Sequence, residues 1–205
     1  MTLTLLHTAQ VHSATFDALR DQIAPGQTLH HIVREDLLLR AQTGIDDALS
    51  AEISALISSA DGTVVCTCTT LGPVAAQAGA IRIDQPMMQA AAATPGAILM
   101  AYCLNSTLGP SLDLLEDELR RTGTPAKVHP LPLNALWPLF EAGEAEAFAI
   151  GIAAEIRDVV SAMPDLGSVV LAQASMAGAA ALLRDLNIPV FCSPEMALRA
   201  ALQKT

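Results

Sequence analysis

Gly62-Thr63-Val64-Val65-Cys66-Thr67-Cys68-Thr69-Thr70 and Gly167-Ser168-Val169-Val170-Leu171-Ala172-Gln173-Ala174-Ser175 share one pattern: a glycine, a short apolar run, then small polar residues. Each run is too short for a helix and is followed by an Ala-rich helical stretch, as a buried strand of a parallel sheet would be. The likeness extends both ways. Ile83-Asp84-Gln85-Pro86-Met87-Met88 resembles Cys192-Ser193-Pro194-Glu195-Met196, each leading into an Ala-rich helix, and Thr2 to Thr8 matches Ile98 to Cys103. The chain therefore reads as two similar fused α/β lobes, 1–94 and 95–189, with 190–205 returning to the first.

Working outward, β-rich runs at 2–6, 28–33, 63–68, 80–83, 97–103, 126–129, 168–172 and 189–192 alternate with helical spacing at 45–60, 112–121, 144–162 and 177–186. That alternation predicts an α/β fold with parallel sheets. A duplication of this kind implies pseudo-twofold symmetry, with the active site expected in a cleft at the carboxyl ends of both sets of strands.

Composition narrows the partners. A net charge of −10 with only 11 Lys and Arg leaves no basic patch for phosphates, so no nucleic-acid partner is expected. Mean hydropathy is +0.42. Even so, the longest uncharged runs are broken by Pro, Gly, Asn and Ser and do not reach the ~20 apolar residues of a membrane span. With no basic leader before His7, a cytoplasmic protein without membrane contact is expected. The two lysines, Lys127 and Lys204, are poorly placed for a pyridoxal Schiff base, and neither G-x-G-x-x-G nor a P-loop is present, so no cofactor is expected. Cys66, Cys68, Cys103 and Cys192 should be reduced thiols; they lack the further ligands of a zinc site, so no metal is expected. The Ala-rich, weakly charged helices make a homo-oligomer an expectation.

Among the thiols Cys68 stands apart, because it closes a strand and precedes Thr69-Thr70-Leu71-Gly72-Pro73 and a helix start. Helix N-terminal amides favour thiolate, so a lowered pKa is expected, making Cys68 a candidate base or nucleophile. Cys66, Cys103 and Cys192 read as core. Gln173-Ala174-Ser175 begins the corresponding turn of the second lobe, and each turn would offer amides and hydroxyls to a small carboxylate.

Val64 to Thr70 resembles the first cysteine motif of the aspartate/glutamate/hydantoin racemase family, and Val170 to Met176 resembles its second. The resemblance covers nearly the whole chain. It implies a cofactor-independent isomerase acting at the carbon next to the carboxylate of a small acid. His7 and Thr8 fall where the family's first loop touches substrate, and Asn105-Ser106-Thr107 resembles the opening of its second lobe. Thr69, Thr70, Asn105, Thr107 and Ser175 are then implied as carboxylate-binding groups. The family's second cysteine is replaced by Gln173, which cannot act as acid or base. Three alternatives follow: His7 serves as the second acid–base group; Cys68 works alone, as in arylmalonate decarboxylase, whose cysteine lies in the other lobe; or the protein binds a carboxylate without turnover, with Gln173 as ligand.

Overall fold

The computed structural model describes residues 2–204; Met1 and Thr205, at the ends of the first expected lobe, lie outside them. It divides into one unit of residues up to Pro86 together with those from Pro194, and a second unit of Met87–Ser193. In the first, β1 (Leu3–His7), α1 (Val11–Ile23), β2 (Leu29–Val33), α2 (Glu35–Ala41), α3 (Asp47–Ser59), β3 (Thr63–Cys66), α4 (Gly72–Gln77) and β4 (Ile81–Arg82) form a parallel sheet in the order β2-β1-β3-β4. Helix α5 (Gln85–Ala92) carries the chain across the division. The second unit has β5 (Ala97–Tyr102), α6 (Asn105–Thr122), β6 (Val128–Pro132), α7 (Trp137–Glu141), α8 (Ala145–Ala162), β7 (Leu166–Leu171), α9 (Ala177–Leu182) and β8 (Val190–Cys192), in the order β6-β5-β7-β8. Helix α10 (Ser193–Leu202) closes the chain.

The two sheets repeat each other strand for strand, which is the duplication read from the sequence. Their cores repeat as well. Leu49, Ile53 and Ile57 of α3 lie one turn apart and belong to one buried cluster with Leu6, Val64 and Cys66; Phe148, Ile152 and Ile156 of α8 do the same with Leu99, Val169 and Leu171. Each fully buried side chain of this size contributes roughly 1.5–3 kcal/mol.

Even the repeated glycine has one cause in both units. A Cβ at Gly62, where φ is +73°, would lie 2.1 Å from the carbonyl oxygen of Thr2, and one at Gly167 would lie 1.9 Å from that of Pro95. In each case the approach to the third strand passes directly against the backbone that leads into the first. Gly167→Ala is expected to cost about 3 kcal/mol, because the clash is with backbone that cannot swing aside; a thermal denaturation midpoint equal to wild type would contradict this.

The differences from the sequence reading are local. Helix α1 went unread because its only buried residues are His12 and Phe16. Helix α6 begins at Asn105 rather than Leu112, running through Pro110. Gly109 before that proline lacks the Cβ that would oppose helical geometry there. Strand β6 runs on through Pro130 and Pro132 because it is an edge strand, where a missing amide is tolerated. Among the described residues, no helix is long and apolar enough to cross a membrane.

Candidate active site

Strand β3 delivers Thr67 and Cys68 to a turn that leads into α4. The Cys68 side chain is buried, and its sulfur is met by four donors: the Thr8 hydroxyl from the end of β1, the Thr70 hydroxyl, and the backbone N–H groups of Thr70 and Leu71. These donors favour thiolate, but burial outweighs them and raises the thiol pKa. The expected lowering at a helix start is therefore corrected: desolvation wins. At neutral pH Cys68 holds its proton, and the four donors are placed to receive the charge once that proton leaves. Alkylation of Cys68 by iodoacetamide is accordingly expected to be slow at pH 7 and to rise about tenfold per pH unit until beyond pH 9; a plateau below pH 8, read by peptide mass spectrometry, would refute the raised pKa.

The remaining thiols behave as core. Cys66 donates to the Cys68 carbonyl at 3.6 Å, and burial pushes its pKa far up. Burial also pushes Cys103 up to about 12. None of the four cysteines is in a disulfide.

His7 requires a correction. It is fully buried, with Nδ1 2.8 Å from the Thr67 hydroxyl oxygen and Nε2 2.8 Å from His31 Nδ1. Both ring nitrogens are thus committed within the protein, leaving none to exchange a proton with substrate. Burial, then the neighbouring His31 and His12, lower its pKa to about 3, so the ring is neutral at physiological pH. Thr8, its chain neighbour, does reach Cys68. Thr69 is buried and its carbonyl accepts from Gly72 N–H at 3.0 Å in the same turn.

In the second unit, Gln173 occupies the place of Cys68. Thr67 N–H donates to Leu6 O at 2.9 Å in one sheet and Ala172 N–H to Ala101 O at 2.9 Å in the other, so the next residues, Cys68 and Gln173, stand in the same register. The buried Gln173 accepts at Oε1 from the N–H groups of Cys103, at 2.6 Å, and Leu104, at 3.1 Å. This fixes the amide orientation and turns Nε2 away from them. Asn134, not singled out from the sequence, donates through Nδ2 to Cys103 O at 3.1 Å and Asn105 Oδ1 at 3.2 Å. Asn105, Ser106 and Thr107 form the first turn of α6, with Asn105 exposed and Thr107 buried. Ala174 is buried and Ser175 partly so, in a short 3₁₀ turn. Ser175 matches Thr70 in the repeat, yet its buried hydroxyl has no partner. The donor that meets sulfur in one unit is thus left over in the other, where no sulfur stands.

Sequence reading also passed over a buried ion pair beneath the Cys68 turn. Arg82 binds Asp84 through two bonds of 2.9 and 2.7 Å, and a Cβ at Gly72 would lie 2.8 Å from Arg82 Nε. The start of α4 thus rests directly on the guanidinium. Among the described residues, no group of three or more His, Cys, Asp or Glu is arranged to hold a metal ion.

No family model matches the chain, and no curated protein does. Solved structures do. Allantoin racemase from Klebsiella pneumoniae superposes with a TM-score of 0.63 at 18% identity, over 99% of this chain and 86% of that one. Glutamate racemase from Francisella tularensis, in complex with D-glutamate, gives 0.69 at 10% identity over 99% and 80%. The fold is that of the Asp/Glu/hydantoin racemases. An arylmalonate decarboxylase variant in a sulfate-associated form has the racemase fold too, at 0.58 and 13% identity over 99% and 92%. On this racemase fold, Cys68 closes the third strand of the first unit, and the equivalent position of the second carries Gln173.

Proposed function

We propose that the protein is a cofactor-independent racemase or isomerase acting at the carbon next to the carboxylate of a small amino acid or related acid. The observation that carries this reading is the four-donor setting of the Cys68 sulfur. As thiolate, Cys68 would take the α-proton; the C–H electron pair passes to the α-carbon and into the carboxylate, a proton from water adds to the opposite face of that carbon, and the new thiol returns its proton to solvent. Thr8 and Thr70 hydroxyls and the two amides stabilise the thiolate, while Thr69, Asn105, Ser106, Thr107, Ala174 and Ser175 are proposed, with Gln173, as substrate-binding positions.

Gln173 favours a second reading, decarboxylation of a malonate-type acid. There the C–C bond breaks, carbon dioxide leaves, the electron pair stays on the α-carbon, and Cys68 S–H supplies the single proton needed. Incubation in D2O with amino acids, hydantoins, arylmalonates and maleate, followed by proton NMR, separates the two. α-Deuteration with loss of optical purity supports the first reading, and carbon dioxide release with one-sided deuteration supports the second.

Gln173→Cys is expected to add a second proton source, since the Ser175 hydroxyl and the freed amides of Cys103 and Leu104 are donors suited to a thiolate. Racemisation should rise by about tenfold or more, within the range of one acid–base group. Unchanged optical purity of the product over the same turnover would reject that role for position 173.

A further inference from the structure

Thr67 sets the direction of a chain of hydrogen bonds that the reaction above does not use. Its hydroxyl has one proton and lies 3.0 Å from Leu6 O, a pure acceptor, so that proton points there. At 2.8 Å the His7 nitrogen must then be the donor, and His7 carries its proton on Nδ1. His7 Nε2 is left as acceptor and takes the Nδ1 proton of His31 at 2.8 Å; His31 Nε2 lies 3.3 Å from Asp17 Oδ1 in α1. The links from His31 through His7 and Thr67 to Leu6 O all run one way, ending on the backbone between β1 and β3; the Asp17 carboxylate at the surface can only accept and stands outside that series.

This bridge stands at a decisive place. His7 and Thr67 are the chain neighbours of Thr8 and Cys68. The His7 ring packs against Phe16 and His12 of α1, whereas Leu6, Cys66 and Cys68 belong to the cluster packed by α3. Because successive strand residues point to opposite faces, a link between His7 and Thr67 on one face fixes the spacing of the next pair on the other. We propose that His7 is a positioning residue: by bridging to Thr67 it holds the Thr8 hydroxyl against the Cys68 sulfur. This rests on Cys68 being the reactive thiol.

The test reads Cys68 without a substrate, through the pH dependence of its alkylation by iodoacetamide. In His7→Leu and in Thr67→Val, which keeps the shape but removes the hydroxyl, alkylation at pH 8 should fall about tenfold, one pH unit of thiol pKa. His7→Asn, whose Nδ2 can stand where Nδ1 stood, should stay within about threefold of wild type by the same measure. Long-range ¹⁵N–¹H NMR of the wild-type protein should show the His7 proton on Nδ1. Alkylation unchanged in both His7→Leu and Thr67→Val, or a His7 proton on Nε2, overturns the proposal. Its failure is separable from that of the proposed activity, which is lost if Cys68→Ala turns over substrate like wild type.

Discussion

Cys68→Ala lowers α-proton exchange by roughly 10²–10⁴-fold, the contribution of one positioned acid–base group. The residual rate reflects whatever the binding groups supply alone. Because the side chain sits in the core cluster with Leu71 and Ala75, truncation to Ala removes little volume, and the protein should still fold. Cys68→Ser sharpens the reading. The hydroxyl keeps the size and can meet the donors at Thr8, Thr70 and Leu71. Its proton is far too tightly held for the same transfer, so exchange should stay near the Ala level. Deuterium uptake followed by proton NMR checks both, and exchange in Cys68→Ala equal to wild type ends the proposed chemistry.

Arg82→Ala destabilises the fold by about 3–5 kcal/mol, because it leaves the fully buried Asp84 carboxylate without its cation. For a chain of this size that is a fall of roughly 6–20 °C in the unfolding midpoint. Arg82→Met combined with Asp84→Leu removes both charges and should recover most of the loss, since the cost lies in the stranded charge rather than in the missing bonds. Calorimetry distinguishes the cases: a double variant as unstable as the single one would mean that packing against Gly72, not charge, is decisive. Such packing would also show as slower Cys68 alkylation in both variants.

The central strands β1, β3, β5 and β7 were legible because each is a short run of mostly buried apolar residues, and the repeat made each vouch for its counterpart. Cys68 was legible for the same reason, as the polar end of a repeated strand. What stayed hidden depends on side chains meeting across long stretches of chain. His7, His31 and Asp17 come together only when β1 pairs β2 and α1 packs beside them. His7 in the sequence looked like a free acid–base group, and its two commitments follow from that pairing. Asn134 was equally silent, since its partners Cys103 and Asn105 lie about thirty residues away. The pKa of Cys68 was misread because a helix start can be recognised in sequence, whereas the depth at which it is buried cannot.

The chain crosses between its units at Pro86 and again at Ser193, so the first unit comprises two separated segments and the second a single one. During synthesis, residues 87–193 can all leave the ribosome as one complete folding unit, while the earlier-made 2–86 still lack Ala197, Leu198 and Ala201 of α10, all buried. The half that carries Cys68 is thus begun before the other and completed after it. Removal of α10 is therefore a truncation of the unit that holds Cys68, not of the unit that precedes α10 in the chain.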